Sequence, residues 1–405
     1  MYPNKLTRNL LFASLYFTQG TILGYFASLN ALYLISRGLT MTDVGVFGAI
    51  ALIPFIIKIF LGMLSDRVNL FGRGHRAPYI LIGLAVQLAC LLAVPAINPK
   101  TNYWGFVALA FLLQLGMALY DTCTDGLALD TTPPAEQGNI QGFMVGGRAI
   151  GTIVAASAVG LLAEKVSWDS VFWVLAVLTL LPLPLVFGLK ENERPAEKRF
   201  DWKAFGAFKQ WPVIAVGLVG LIIFMVIVGA NQLINPFLEE ALGISLSQAG
   251  YITSLWGIGV VAGSIVGAWL KSNDKDIRAT LTMLGMVAVA LLAIALLIKP
   301  GLALPLAIAI VIIYGIAYGA AQTITFALCM RFVDPRIAAS MFAILMAFTN
   351  VGQGIGLGLG GAAADAIGFN LTFVAFAVLL ALVLPFLPSL AQRLNAKSSP
   401  DAMPE

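Results

Sequence analysis

The chain has 405 residues, of which 60% are hydrophobic and only 11% charged, with a mean hydropathy of +0.92. That is too little polar surface to cover a water-soluble globule, so the composition points to a bilayer. The formal charge of +4 matters less in such a chain than where the positive residues lie, and a nucleic-acid partner is excluded.

A helix crosses a hydrocarbon core in about 20 apolar residues, because lipid offers no partner for unpaired backbone groups. Apolar stretches between polar breaks predict twelve spans, near 9–36, 42–64, 77–97, 104–130, 139–163, 169–189, 212–236, 247–270, 279–299, 303–330, 338–366 and 370–389. The first apolar run is long and lacks a small-residue cleavage site, so it reads as a span and not as a cleavable leader. Cys90, Cys123 and Cys329 fall inside apolar runs and read as small core residues, which leaves no disulfide framework or metal site to expect.

Orientation follows from the 24 Lys and Arg residues. With a cytoplasmic N-terminus, 18 fall in inside segments and four outside (Arg37, Lys100, Lys165, Lys299), while Lys58 and Arg148 stay within spans. Both termini are therefore expected in the cytoplasm and the protein in the cell inner membrane. The charged segment from Lys190 to Phe200 divides six spans from six. The organisation expected is a bundle over 1–189, a cytoplasmic linker over 190–211, a second bundle over 212–390 and a tail over 391–405.

The halves resemble each other at an offset of about 200 residues. Leu161 to Trp168 followed by Phe172 parallels Ala362 to Phe369 followed by Phe373, and Arg148 to Gly151 parallels Thr349 to Gly352. Between spans 2 and 3 stand Gly62, Asp66, Arg67, Arg73, His75 and Arg76. A glycine, an Asp-Arg pair and a basic cluster at this spacing resemble the loop signature of the major facilitator superfamily. The resemblance implies an all-α membrane protein of twelve transmembrane helices in two pseudo-symmetric six-helix bundles, with substrate bound between them near the midplane. Arg67 is expected to pair with a carboxylate at a neighbouring helix end such as Asp130, a contact that locks one face and breaks on opening. The bland alternative is a positive-inside loop without a gating role. Shorter segments point to two branches. Pro54 to Lys58, Gly147 to Gly151 and Pro236 to Leu246 are similar to AmpG-type permeases and their acetyl-coenzyme A and folate–biopterin relatives. Gly74 to Ile80, Gly126 to Glu136 and Thr253 to Gly259 look like the PucC-type bacteriochlorophyll-delivery branch.

Ionisable residues far from loops are the most informative, since a charge at a bilayer centre costs at least about 2.5 kcal/mol and normally faces protein or a wet cavity. The spans hold Lys58, Asp121, Asp125 and Arg148, all in the N-terminal half. Asp121 and Asp125 share a helix face, roughly 15 and 9 Å from the span's end, while Arg148 lies roughly 13 Å deep and Lys58 about 10 Å. Depth alone pairs Asp121 with Arg148 and Asp125 with Lys58. A carboxylate here can load and release a proton, and the planar fork of Arg148 suits a carboxylate or phosphate. The alternatives are a static ion pair that fixes helix packing and, for Lys58, an ammonium snorkelling to the headgroups. Neutral candidates for a substrate cavity are Gln19, Asn30, Asn231, Gln232, Asn235, Gln322, Asn350 and Gln353, each explained equally well by hydrogen bonding between helices. For Tyr16, Tyr25, Tyr33, Trp256, Tyr314 and Tyr318, packing and interface belts are the default.

No nucleotide-binding module, metal constellation or nucleophile–base set is visible, so neither an enzyme nor a cofactor is expected. The leading expectation is a monomeric, proton-coupled secondary transporter of an organic solute, an anion among the candidates, working by alternating access. The rival is a pigment-delivery factor that uses the same fold as a scaffold.

Overall fold

The computed structural model describes residues 5–70, 74–132, 136–189, 206, 209–273, 276–333 and 338–398. Arg73, most of the linker over 190–211 and the end of the tail lie outside them. The chain divides into two compact units, Met1–Arg199 with Gly243–Leu255, and Phe200–Leu242 with Trp256–Glu405.

The first unit is built from α1 (Lys5–Ser28), α2 (Asn30–Ser36), α3 (Met41–Ile56), α4 (Lys58–Arg67), α5 (Ala77–Ala93), α6 (Tyr103–Thr131), α7 (Gln137–Lys165), α8 (Trp168–Thr179) and α9 (Leu183–Phe187). Two expected single spans are each broken in two. The first breaks at Leu29, directly after Ser28, whose hydroxyl donates to the Gly24 carbonyl at 2.6 Å, a back-bond of the kind that bends helices. The second breaks at Ile57 (φ −90, ψ 3), three residues past Pro54, and Lys58 opens the helix that follows.

The later helices are α10 (Trp211–Leu242), α11 (Leu246–Asn273), α12 (Asp276–Leu297), α13 (Leu304–Arg331), α14 (Ala338–Leu379) and α15 (Leu387–Ser398). Among the described residues, eleven helices are long and apolar enough to cross a membrane, where the sequence predicts twelve. The difference lies in the last one, which counts as one helix from Met341 to Leu394 where the sequence predicts two spans. Its α14 portion has 42 residues, about 63 Å of helix at 1.5 Å per residue and twice a hydrocarbon core of roughly 30 Å. Gly368 interrupts it at φ 80 and ψ 162, a conformation essentially confined to glycine.

Apolar side chains gain little by leaving lipid for protein, so helices in a bilayer associate through close backbone approach at small residues. Each unit has such seams. In the first, a Cβ at Gly20 would lie 2.2 Å from the Arg148 carbonyl oxygen, and one at Gly151 would lie 2.2 Å from that of Phe17. In the second, a Cβ at Gly352 would lie 2.1 Å from the Leu221 carbonyl oxygen and one at Gly356 would lie 2.0 Å from that of Met225. Gly151 and Gly352 are the aligned glycines of the internal repeat, so α1 on α7 and α10 on α14 are the same joint built twice. Large apolar groups such as Trp104, Phe187, Ile265 and Val289 remain exposed, the arrangement that lipid favours.

Candidate functional site

The α1–α7 seam and the adjoining α6 and α4 gather the intramembrane charges at one place in the first unit. Gln19 and Tyr16 are three residues apart and so share a face of α1, and Asp121 and Asp125 share a face of α6. Asp121 is 5% exposed. It accepts a hydrogen bond from Gln19 Nε2 at 2.8 Å and faces the Lys58 ammonium, with Nζ to Oδ2 at 3.5 Å. Asp125, one turn on, accepts a hydrogen bond from the Tyr16 hydroxyl. Arg148, carried on α7, lies over the Tyr16 ring with its guanidinium carbon 5.4 Å from the ring centroid, a cation–π contact of about 0.5–2 kcal/mol. It makes no ion pair among the described residues.

Depth therefore gives the wrong pairing: Lys58 meets Asp121, not Asp125, and Arg148 meets an aromatic face instead of a carboxylate. The reason is helix rotation. Lys58 starts a new helix after the break at Ile57, and Arg148 is directed by the glycine seam across α1. The Lys58 ammonium turns to Asp121, so it does not snorkel. Two cations and two carboxylates balance within the cluster. Tyr16, read from the sequence only as one aromatic among several, is the group that touches both Asp125 and Arg148.

The loop motif is organised around Arg76. This arginine is 4% exposed, donates to the Ser65 hydroxyl at 2.5 Å and faces Asp130 with Nε to Oδ2 at 3.5 Å. The expected partner of Asp130, Arg67, is exposed at the end of α4. Arg76 takes that place because it begins α5, which packs along α6, and because Gly126 leaves room: a Cβ there would lie 2.4 Å from the guanidinium carbon. Gly62 sits where α4 meets α6, and a Cβ there would lie 3.0 Å from the Thr122 methyl. Asp66 lies in α4, and Arg73 lies outside the described residues. Nearby, Lys5 and Arg8 at the start of α1 both pair with Glu136, and these two cations hold its carboxyl below the usual range, Lys5 foremost. Sequence reasoning missed this cluster, since Glu136 lies 128 residues or more from both cations.

Among the neutral candidates, Gln19 joins the charged cluster. Asn30 lines a small apolar cavity with Tyr25, Phe47, Phe106 and Phe172, and its Oδ1 has no hydrogen-bond partner among the described residues. In the second unit Gln232 donates to the Leu357 carbonyl at 2.6 Å, and Gln353 donates to Asn350 Oδ1 at 2.9 Å. Both amides are spent on packing. Asn235 is buried, and Asn231 and Gln322 are half-buried.

Charges buried along a glycine-sealed seam of a polytopic helical unit, with that joint repeated in the second unit, define an integral membrane protein of internally duplicated design. The chain matches the Major Facilitator Superfamily over residues 10–344 and 218–402 and belongs to that family. It is 30% identical over 208 residues to a folate-biopterin transporter of Synechocystis sp., covering 48% of this chain and 41% of that protein. It is 23% identical over 289 residues to the anhydromuropeptide permease of Escherichia coli, covering 68% and 57%. The matched region thus spans about half the length of these relatives. Among solved structures, the nucleoside transporter NupG superposes with a TM-score of 0.77 at 15% identity, covering 94% of this chain and 99% of that one, a likeness of fold.

Proposed function

We propose that this protein is a secondary active transporter that moves an organic solute across the cell inner membrane by alternating access, driven by protons. The observation that carries the reading is Arg148: a guanidinium inside a membrane span, held over Tyr16 with no ion pair among the described residues, in the same cluster as two carboxylates. An unpaired cation at that depth is costly unless it binds something, and its planar fork fits a carboxylate or phosphate on the solute. A carboxylate next to it supplies a place for a proton whose arrival and departure changes the local charge. The names of the relatives support the same class, one carrying folates and biopterin, the other anhydromuropeptides.

In this reading the two helices that meet at Gly368 are separate spans, which brings the total to twelve, and the excess of Lys and Arg in alternate connections puts both termini in the cytoplasm. Bundles over 1–189 and 212–390 act as the two rocking halves of a monomer. The Arg76–Asp130 contact serves as a latch on the cytoplasmic side.

The test is uptake into membrane vesicles under an imposed pH gradient, with a panel of labelled organic anions that includes a folate and an anhydromuropeptide. The native protein accumulates at least one of them, and Asp125→Asn or Asp121→Asn abolishes gradient-driven accumulation. Full accumulation in both variants rules out proton coupling through this cluster.

A further inference from the structure

We propose that the two carboxylates have different jobs: Asp125 carries the proton, Asp121 stays ionised as the fixed counter-charge of Lys58, and Tyr16 is the positioning residue that links Asp125 to Arg148. This rests on the transport reading above and divides its machinery.

The distinction comes from what each partner can do with its hydrogens. Asp121 faces the Lys58 ammonium, which has three donors and no acceptor, at one oxygen and accepts from Gln19 Nε2 at the other, so both its oxygens serve as acceptors, as the ionised carboxylate provides. Protonating Asp121 would leave an uncompensated ammonium in the span, the costly outcome for a buried pair. Asp125 has a different neighbour. A phenol hydroxyl both donates and accepts, so Tyr16 donates to the carboxylate and, once Asp125 takes a proton, accepts a hydrogen bond from the acid. Either state of Asp125 is satisfied without moving a helix. The titratable and charged groups around Asp125 are Tyr16 from α1, Lys58 from α4, Arg148 from α7 and Asp121 on its own helix.

The link to Arg148 follows from the same hydroxyl. While Asp125 is ionised, the Tyr16 hydrogen is committed to it. After protonation the acid donates its own hydrogen, and the Tyr16 O–H is free to rotate toward an anion held by the guanidinium that lies over its ring. A proton arriving from the bulk thus adds one donor for the anionic group of the solute, and its departure removes that donor. Tyr16 keeps its own proton throughout.

Infrared difference spectroscopy of the purified full-length protein in lipid vesicles tests this without a known solute, because a protonated carboxylic acid has a carbonyl stretch that a carboxylate lacks. With the native protein, lowering the pH produces an acid band that shifts on labelling the aspartates with carbon-13. The band is lost in Asp125→Asn, retained in Asp121→Asn and Asp125→Glu, and displaced in frequency in Tyr16→Phe, which keeps the ring under Arg148 but removes the hydroxyl. The assignment is overturned by a band that survives Asp125→Asn, by one that does not move in Tyr16→Phe, or by the lack of any titrating acid band in the native protein. A band with the expected pattern but no gradient-driven uptake would refute the transport reading alone. Uptake together with a band that depends on Asp121 would refute only this division of roles.

Discussion

An alanine at position 20 would place its Cβ 2.2 Å from the carbonyl oxygen of Arg148 and 2.9 Å from the carbonyl carbon, where ordinary contact begins at 3.4 Å. Both atoms are backbone, so no side-chain rotamer relieves the overlap, and α1 and α7 must part by about 1 Å. Overpacking of this kind costs about 1–3 kcal/mol. Gly146→Ala is the matched control: it lies on α7 with nothing within 4 Å of the added methyl, and the exchange should favour the helix by about 1 kcal/mol. Both glycines are helical, so that gain is common to the two exchanges, and the variants, one on α1 and one on α7, are expected to differ by the overlap alone, about 1–3 kcal/mol. The assay is the thermal unfolding midpoint of the purified variants in one detergent, with Gly20→Ala well below the native protein and Gly146→Ala at or above it. If Gly20→Ala unfolds at the same temperature as Gly146→Ala, backbone approach does not hold this seam. Parting the helices also carries Arg148 away from Tyr16, so Gly20→Ala should lose gradient-driven uptake even at temperatures where it stays folded.

Gly368→Ala forces an L-residue into a conformation it rarely adopts and should cost about 1–3 kcal/mol, read as a lower unfolding midpoint; an unchanged midpoint would mean that the two helices meet in some other way. The Glu136 carboxyl is held below its ordinary 4.5, chiefly by Lys5 and then Arg8. A depressed folded value means that the stabilisation is present above the unfolded pKa and is lost as pH falls through the folded one. The midpoint of the native protein should therefore fall on acidification below about 4.5 more steeply than that of Glu136→Gln, and parallel curves would show that these ion pairs contribute nothing measurable.

The apolar spans, the repeat and the loop motif were legible because each depends on composition or spacing along the chain. Partner choice was not. Depth follows from counting residues at about 1.5 Å each, but which way a side chain points depends on helix rotation, and the breaks at Leu29 and Ile57 reset that rotation inside runs that read as single spans. Hence depth sets Lys58 against the wrong aspartate, and the loop motif points to Arg67 for a place that Arg76 fills. The role of Tyr16 had a signal that was available: Tyr16 and Gln19 are three apart on an apolar helix, Asp121 and Asp125 four apart on another, and polar faces at matching helical spacing belong together. The neutral amides were legible as residues but not as roles, since Gln232 meets a backbone carbonyl 125 residues away that only folding brings near.

The missing Cβ at Gly126 has an evolutionary meaning. Because the Arg76 side chain fills the space where any other residue would carry a Cβ, positions 76 and 126 behave as one character shared between two helices. A larger residue at 126 must push the Arg76 guanidinium aside and away from Asp130, and a shorter residue at 76 leaves a hole beside Gly126. Substitutions at this corner should therefore be inherited in pairs, and a designer who alters one position must redesign the other.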